Sequence, residues 1–164
     1  MSNFIPNRPQ RVNPLIRKSF AIVASQYNSD LVDRLVESTR EELQSLVPNV
    51  AISLHQVPGA FEIPVMVQEV ALAGGHDAII ALGVIIEGET AHGDLVARTV
   101  THALMDISLR FRTPVIHEVL LVKNVEQAEA RTTGTEKNRG IEAARAAILA
   151  AQAIGDFKQR HPGA

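Results

Sequence analysis

The chain contains no cysteine and no tryptophan. Without cysteine there are no disulfides, thiolate nucleophiles, zinc–thiolate centres or iron–sulfur clusters. Aromatic residues make up only 4% of the chain, as five Phe and one Tyr. A core so poor in aromatics must be filled by Val, Ile, Leu and Ala, the usual content of parallel α/β layers. Charge of one sign is lacking too: 16 Lys and Arg oppose 18 Asp and Glu, a net charge of −2. No basic stripe interleaved with aromatics occurs, so nucleic acid is not expected as a partner. No apolar run approaches the roughly 20 residues of a membrane span. The first 18 residues carry Arg8, Arg11, Arg17 and Lys18 but no continuous apolar stretch of a secretory signal. No membrane association and a cytoplasmic location are therefore expected.

The 164 residues are 46% hydrophobic, which suits one compact domain. Residues 1–18 hold Pro6, Pro9 and Pro14 and read as an extended arm. Such an arm is either disordered or packed on a neighbouring subunit. Residues 19–157 read as the domain and 158–164 as a C-terminal tail.

Within the domain two periods alternate. Ser19 to Ser25 reads as a short buried strand. A helix follows with Leu31, Val32, Leu35, Val36, Leu43 and Leu46 on one face. Asn28, Ser29 or Asp30 is placed to cap it. Val50 to Val57 is the second strand, and a Pro-Gly turn leads to a helix over Phe61 to Leu72 stopped by Gly74 and Gly75. Asp77 to Ile86 is apolar on both faces and is the strongest strand. A glycine-containing loop follows, then a helix over Leu95 to Phe111 with Leu95, Val96, Val100, Leu104, Ile107 and Leu109 as its apolar positions. Pro114 to Val122 is the fourth strand, Val125 to Arg131 a short helix, and Arg139 to Phe157 an Ala-rich one. Strands alternating with helices imply right-handed crossovers. The expected fold class is α/β: a flavodoxin-like three-layer α/β/α sandwich around a four-stranded parallel sheet.

In an open parallel sheet, ligands bind beyond the carboxyl ends of the strands. The chain's least ordinary residues cluster there. After the first strand stand Tyr27 and Asn28, and after the second stand Ala60, Phe61 and Glu62. Phe61 can stack on a planar ring and Glu62 can accept bonds from hydroxyls, although a core Phe and a dipole-facing acid would read the same way. After the third strand comes Glu87-Gly88-Glu89-Thr90-Ala91-His92-Gly93-Asp94. Gly88 and Gly93 permit close backbone approach, Thr90 carries a hydroxyl, and the next helix presents free N–H groups to an anion. His92 carries an imidazole, a group suited to proton transfer. Glu87, Glu89, Asp94 and His92 lack the spacing of a metal site. Arg131 and Arg139 suit bidentate phosphate binding but also suit solvated helix ends. His117, inside an apolar strand, ordinarily reads as a core or interface His, and Glu142 as a surface carboxylate.

Three segments together carry a resemblance. VPGAFEIP, GVIIEGETAHGD, and NVEQAEAR followed by EKNRGIEAA resemble, in order and spacing, the hallmark segments of the lumazine synthase family. The likeness spans nearly all of 19–157. It implies condensation of 5-amino-6-(D-ribitylamino)uracil with 3,4-dihydroxy-2-butanone 4-phosphate to 6,7-dimethyl-8-ribityllumazine, with release of phosphate and water, in riboflavin biosynthesis. It implies no metal and no organic cofactor. The substrate amine is the nucleophile, so the protein positions the reactants and moves protons.

By this resemblance Tyr27 stacks on the pyrimidine, with Asn28 beside it. Ala60, Phe61 and Glu62 hold the ribityl chain, and Ile85 and Ile86 line the ring pocket. Gly88, Glu89 and Thr90 receive the phosphate. His92 transfers protons with Glu142 assisting, Arg131 binds phosphate, and Arg139 contacts the pyrimidine where the family usually has Lys. His117 stands where a Phe is common, Glu87 where a basic residue is usual, and Gly93 where an aromatic is usual. The resemblance further implies a homo-oligomer with sites between adjacent subunits, Arg131, Arg139 and His117 coming from the neighbour. A pentamer, a decamer and an icosahedral shell are the assemblies to distinguish, and riboflavin synthase is a candidate protein partner. The other reading is a non-catalytic flavin- or lumazine-binding relative, or a shell-forming structural one, suggested by Glu87, Gly93 and His117.

Overall fold

In a computed structural model, residues 6–163 are described. Four strands, β1 (Lys18–Ser25), β2 (Val50–Val57), β3 (Ala78–Ile86) and β4 (Val115–Val122), form one sheet in the order β2-β1-β3-β4. All neighbours run parallel, Ser25 standing opposite Val57, Phe20 opposite Ala78, and Ile86 opposite Val122. The helices are α1 (Ser29–Leu46), α2 (Ile63–Ala73), α3 (His92–Phe111), α4 (Val125–Thr132) and α5 (Arg139–Arg160). A single 3-10 turn, Ala60–Glu62, precedes α2. The expected three-layer α/β/α sandwich is thus the fold.

Alternation along the strands builds two cores. Phe20, Ile22, Ile80 and Leu82 pack with Leu35 and Leu43 of α1 and Ala144 and Ile148 of α5. Ala21, Val23, Ile79 and Ala81 pack on the other face with Ile63 and Val67 of α2 and Val100 and Leu104 of α3. All six apolar positions read for α1 are buried. On α3 the reading holds for Val100, Leu104 and Ile107, but Leu95 and Leu109 are 64% and 71% exposed. They fall outside the stripe that meets the sheet, and an α3 of 20 residues has more apolar surface than one sheet face covers.

The first five residues of the arm lie outside the described ones. Residues 6–17 lie against their own chain. Arg8 pairs with Glu42 of α1 at 3.3 Å, and Glu42 also holds Arg145 of α5 at 2.8 Å. Arg145 donates to the Pro6 carbonyl, the Val12 amide to the Leu46 carbonyl, and Val12 is buried. One carboxylate shared by two guanidiniums, with a buried Val beyond it, ties this stretch to α1 and α5.

The α1–α5 contact rests on two small features. Asn138 is buried, caps α5 by accepting from the Gly140 and Ile141 amides, and donates to Ser38 Oγ at 3.0 Å. Gly140 lets the helices close: a Cβ there would lie 2.6 Å from the Leu35 carbonyl oxygen. Thr39 Oγ1 completes the junction by donating to the Leu35 and Gly140 carbonyls at 2.7 and 3.1 Å.

Candidate active site

The chain passes from β1 to β2 on one side and then crosses to β3, so a switch point opens between the carboxyl ends of β1 and β3. A cavity of about 490 Å³ lies there. Its walls come from Tyr27 and Asn28 after β1, Ala60, Phe61 and Glu62 after β2, Ile85 and Ile86 at the end of β3, and Gly88, Thr90 and His92 beyond it. Gly93 also lines it, so eleven of its wall residues are ones that sequence reasoning had singled out. It missed Gly59, Val84 and Val96, ordinary members of a turn, a strand and a helix that carry no chemical signal. Of the residues expected here, Glu89 alone does not line the wall.

Local geometry explains how these groups are held. Asn28 does not cap α1 with its side chain, as expected of it; it adopts a left-handed conformation, φ 56°, and its Nδ2 donates to the Val84 carbonyl at 2.8 Å. That bond ties the β1 loop to β3 across the switch point. The left-handed turn is one Asn tolerates better than most residues. Tyr27 hangs from its amide's bond to the Pro58 carbonyl at 3.1 Å. Glu62 turns back to accept from the Gly59 amide at 2.9 Å, which holds its carboxylate at the cavity edge. Tyr27 and Phe61 remain 73% and 61% exposed. Two aromatic faces left open beside a cavity are a platform for a planar ring. His92 is the first residue of α3 rather than part of the loop, so the helix starts earlier than Leu95, and Gly93 lies inside its first turn.

A second cavity, about 600 Å³, lies along β4, an edge strand. It collects the other expected residues: His117, Arg131, Arg139 and Glu142. Arg139 forms a short ion pair with Glu142, and Arg98 pairs with Asp94 at 2.7 Å. Arg131 spends one N–H on the Gln127 carbonyl at 3.1 Å and has no carboxylate partner among the described residues. It is thus an unneutralised guanidinium on the cavity wall, the arrangement a phosphate needs. His117 Nε2 meets Thr101 Oγ1 at 2.8 Å, and burial lowers its pKa from the usual 6.5. Its burial disfavours the charged imidazolium.

Within one chain, therefore, His92 and Glu142 do not meet. They occupy different cavities, and Glu142 is engaged with Arg139. Glu87 lines neither cavity, its amide bonding the Val122 carbonyl at 2.8 Å. The unusual acid before the loop glycine thus stands outside both walls. Among the described residues no three His, Asp or Glu side chains gather as metal ligands, so the acidic loop forms no such cluster.

A family model for 6,7-dimethyl-8-ribityllumazine synthase matches residues 17–154. The chain belongs to this family. A relative from Xanthomonas oryzae pv. oryzae (strain PXO99A), named 6,7-dimethyl-8-ribityllumazine synthase, is 45% identical over 130 residues, covering 79% of this chain and 84% of the relative. Relatives of the same name from Xanthomonas campestris pv. campestris (strain B100) and Stenotrophomonas maltophilia (strain K279a) are 43% and 41% identical, with the same coverage. The matched span takes in both cavities of this lumazine synthase family member.

Sequence reasoning passed over two ionisable residues of the second cavity, Arg98 and Glu118, of which Glu118 is the less ordinary. Burial raises its carboxyl to about 8, with Glu142 adding to the rise and Arg139 opposing it. A signal was present: a carboxylate midway along a strand whose neighbours are Val, Ile and Leu.

Proposed function

We propose that the chain is a 6,7-dimethyl-8-ribityllumazine synthase, a transferase that condenses 5-amino-6-(D-ribitylamino)uracil with 3,4-dihydroxy-2-butanone 4-phosphate in riboflavin biosynthesis. The observation that carries this reading is the division of the expected site into two complementary walls. One wall offers open aromatic faces, hydroxyl acceptors and His92; the other offers the unpaired Arg131 beside the Arg139–Glu142 pair. In the first wall Tyr27 and Phe61 receive the pyrimidine and its ribityl chain, with Asn28, Ala60, Glu62, Ile85 and Ile86 around them. Gly88, Glu89 and Thr90 approach the phosphate, and Arg131 of the second wall neutralises it. The amine of the uracil attacks the ketone, and the ketone oxygen leaves as water. Elimination of phosphate from the adjacent carbon leaves an enol that becomes a second ketone, and the ribityl-bearing nitrogen closes the ring on that ketone with loss of a second water. His92 carries protons between these steps, and no enzymic nucleophile takes part.

The site then forms between two copies, with the second wall of one chain, Glu142 and His117 included, meeting the first wall of the next. Leu95, Met105 and Leu109 of α3, with Val65 and Leu72 of α2, are all at least 60% exposed and supply apolar surface for that contact. A closed ring of such head-to-tail contacts completes every site. A pentamer alone, paired pentamers and a larger shell all satisfy this geometry, and light scattering on the purified protein distinguishes them. Riboflavin synthase, which uses the product, is the protein partner this reading favours, and the cytoplasm is the compartment.

The test is direct. Purified protein given both substrates is expected to form the fluorescent lumazine well above the spontaneous rate. Tight flavin binding without turnover would instead favour the non-catalytic reading. Arg131→Ala is expected to raise KM for the butanone phosphate roughly 100-fold while changing KM for the uracil only a few fold, since it removes a charge-assisted phosphate contact. Equal effects on both substrates would contradict its role. His92→Ala is expected to slow kcat by roughly 10- to 100-fold, because positioning survives the loss of a proton carrier. A complete loss of activity in folded protein would give His92 a different part.

A further inference from the structure

One wall residue of the first cavity is notable for the side chain it lacks. Gly59 lies between β2 and the 3-10 turn, is buried, and borders the cavity beside Tyr27 and Glu62. Its backbone is extended, φ −132° and ψ 175°, a conformation open to any residue. The backbone therefore does not call for glycine here; the surroundings do. A Cβ at this position would lie 2.9 Å from Glu62 Oε2, 3.2 Å from Tyr27 Cδ2 and 3.5 Å from Tyr27 Cε2. One edge of the tyrosine ring and one oxygen of the carboxylate share the space that a side chain would fill.

Hydrogen bonds tie both groups to this turn. The Gly59 amide donates to Glu62 Oε2 at 2.9 Å, and the Tyr27 amide donates to the Pro58 carbonyl at 3.1 Å. Tyr27 comes from the loop after β1 and Glu62 from the 3-10 turn, and they meet at Gly59. The ring is 73% exposed, yet one of its edges rests on the turn. Glu62 spends Oε2 on the Gly59 amide and leaves Oε1 to another donor.

We propose that Gly59 is a positioning residue: its missing side chain seats the Tyr27 ring and the Glu62 carboxylate side by side, at the spacing the uracil and its ribityl hydroxyls require. The part of the substrate rests on the proposed function; the seating of the two side chains does not. A methyl group at 59 must displace the ring, the carboxylate or both. These neighbours are side chains that can swing aside, unlike the Leu35 carbonyl facing Gly140. The cost of a Cβ at 59 therefore falls on the site rather than on the fold.

The chain has one Tyr and no Trp, so its tyrosine fluorescence reports on Tyr27 alone. In wild type without substrate, the anisotropy is expected to decay mainly with the tumbling of the whole assembly, because the ring is seated. A decay dominated by the fast swing of a free exposed side chain would overturn the proposal without any variant. Gly59→Ala is expected to add that fast component and to raise quenching by acrylamide, while the melting temperature moves by less than about 2 °C. Unchanged anisotropy and quenching in the folded variant would overturn the seat. So would a fall in melting temperature as large as that of Gly140→Ala, which would make Gly59 a packing residue of the fold. In kinetics, Gly59→Ala is expected to raise KM for the uracil about tenfold, with KM for the butanone phosphate changed less than about twofold. Added to Tyr27→Leu, the same change is expected to raise KM for the uracil by less than about threefold more, since the ring no longer contests the space. A further full tenfold rise would show that the two residues act independently and would overturn the proposal. If the wild type forms no lumazine, the proposed function fails, while the anisotropy and quenching measurements still decide whether Gly59 seats Tyr27.

Discussion

Two crippled variants mixed in equal amounts are expected to regain about a quarter of wild-type activity. The first carries Phe61→Ala with His92→Ala and loses the wall at the switch point. The second carries Arg131→Ala with Arg139→Ala and loses the wall along β4. In the proposed ring, each variant alone leaves every site without one wall. The residues altered in the two variants line different cavities of the same chain. In a ring built head to tail, each site takes one wall from each of two neighbours. Random mixing gives an intact first wall half the time and an intact second wall half the time, hence about one intact site in four. The measurement is initial lumazine formation after joint unfolding and refolding, or after co-expression. Activity no higher than the average of the separate variants would mean that sites are not shared between chains. Leaving the apolar faces of α2 and α3 unaltered keeps assembly out of the comparison.

The second large effect falls on stability. Gly140→Ala is expected to lower the melting temperature by about 3–10 °C, from an overpacking cost of roughly 1–3 kcal/mol. The added Cβ would sit 2.6 Å from the Leu35 carbonyl oxygen and 2.9 Å from Ser38 Cβ. The first neighbour is backbone and cannot swing aside. Relief requires α5 to move away from α1, which strains the Thr39 bonds to the Leu35 and Gly140 carbonyls and the Asn138 bond to Ser38. Because Arg139 and Glu142 flank Gly140 on the same helix, the shift is also expected to weaken binding of the uracil. A melting temperature within about 1 °C of wild type would show that the helices can part freely. The Asn-Arg-Gly segment therefore combines a cap, a residue of the second cavity and a helix contact in three consecutive positions.

Much of this was legible before any coordinates. The alternating apolar rows of β1 and β3 leave no exposed face for a sheet to keep, so helices on both sides follow from composition and period alone. The strand-end residues Tyr27, Phe61 and His92 stand out because aromatics are scarce and a parallel sheet collects function at one edge. The motif segments, read in order, pointed to the family to which the chain belongs. Other features depend on distance in space and leave no local pattern. Asn28 was one of three candidates to cap α1, but its side chain bonds a carbonyl 56 residues away instead. Three prolines marked the arm as extended, but nothing local announced that Glu42 of α1 pairs with Arg8 or that Arg145 of α5 reaches the Pro6 carbonyl.

What the sequence by itself determined was the layered fold, the edge of the sheet that carries function, and the side chains available there. Those follow from periodicity and from handedness, which act over a few residues at a time. Only the tertiary structure decided that these side chains divide between two cavities, that Glu142 pairs with Arg139 within its own chain, and that Glu118 shares their cavity. Charge and burial at a residue are set by neighbours distant in the chain, and the state of a carboxyl depends on all of them at once.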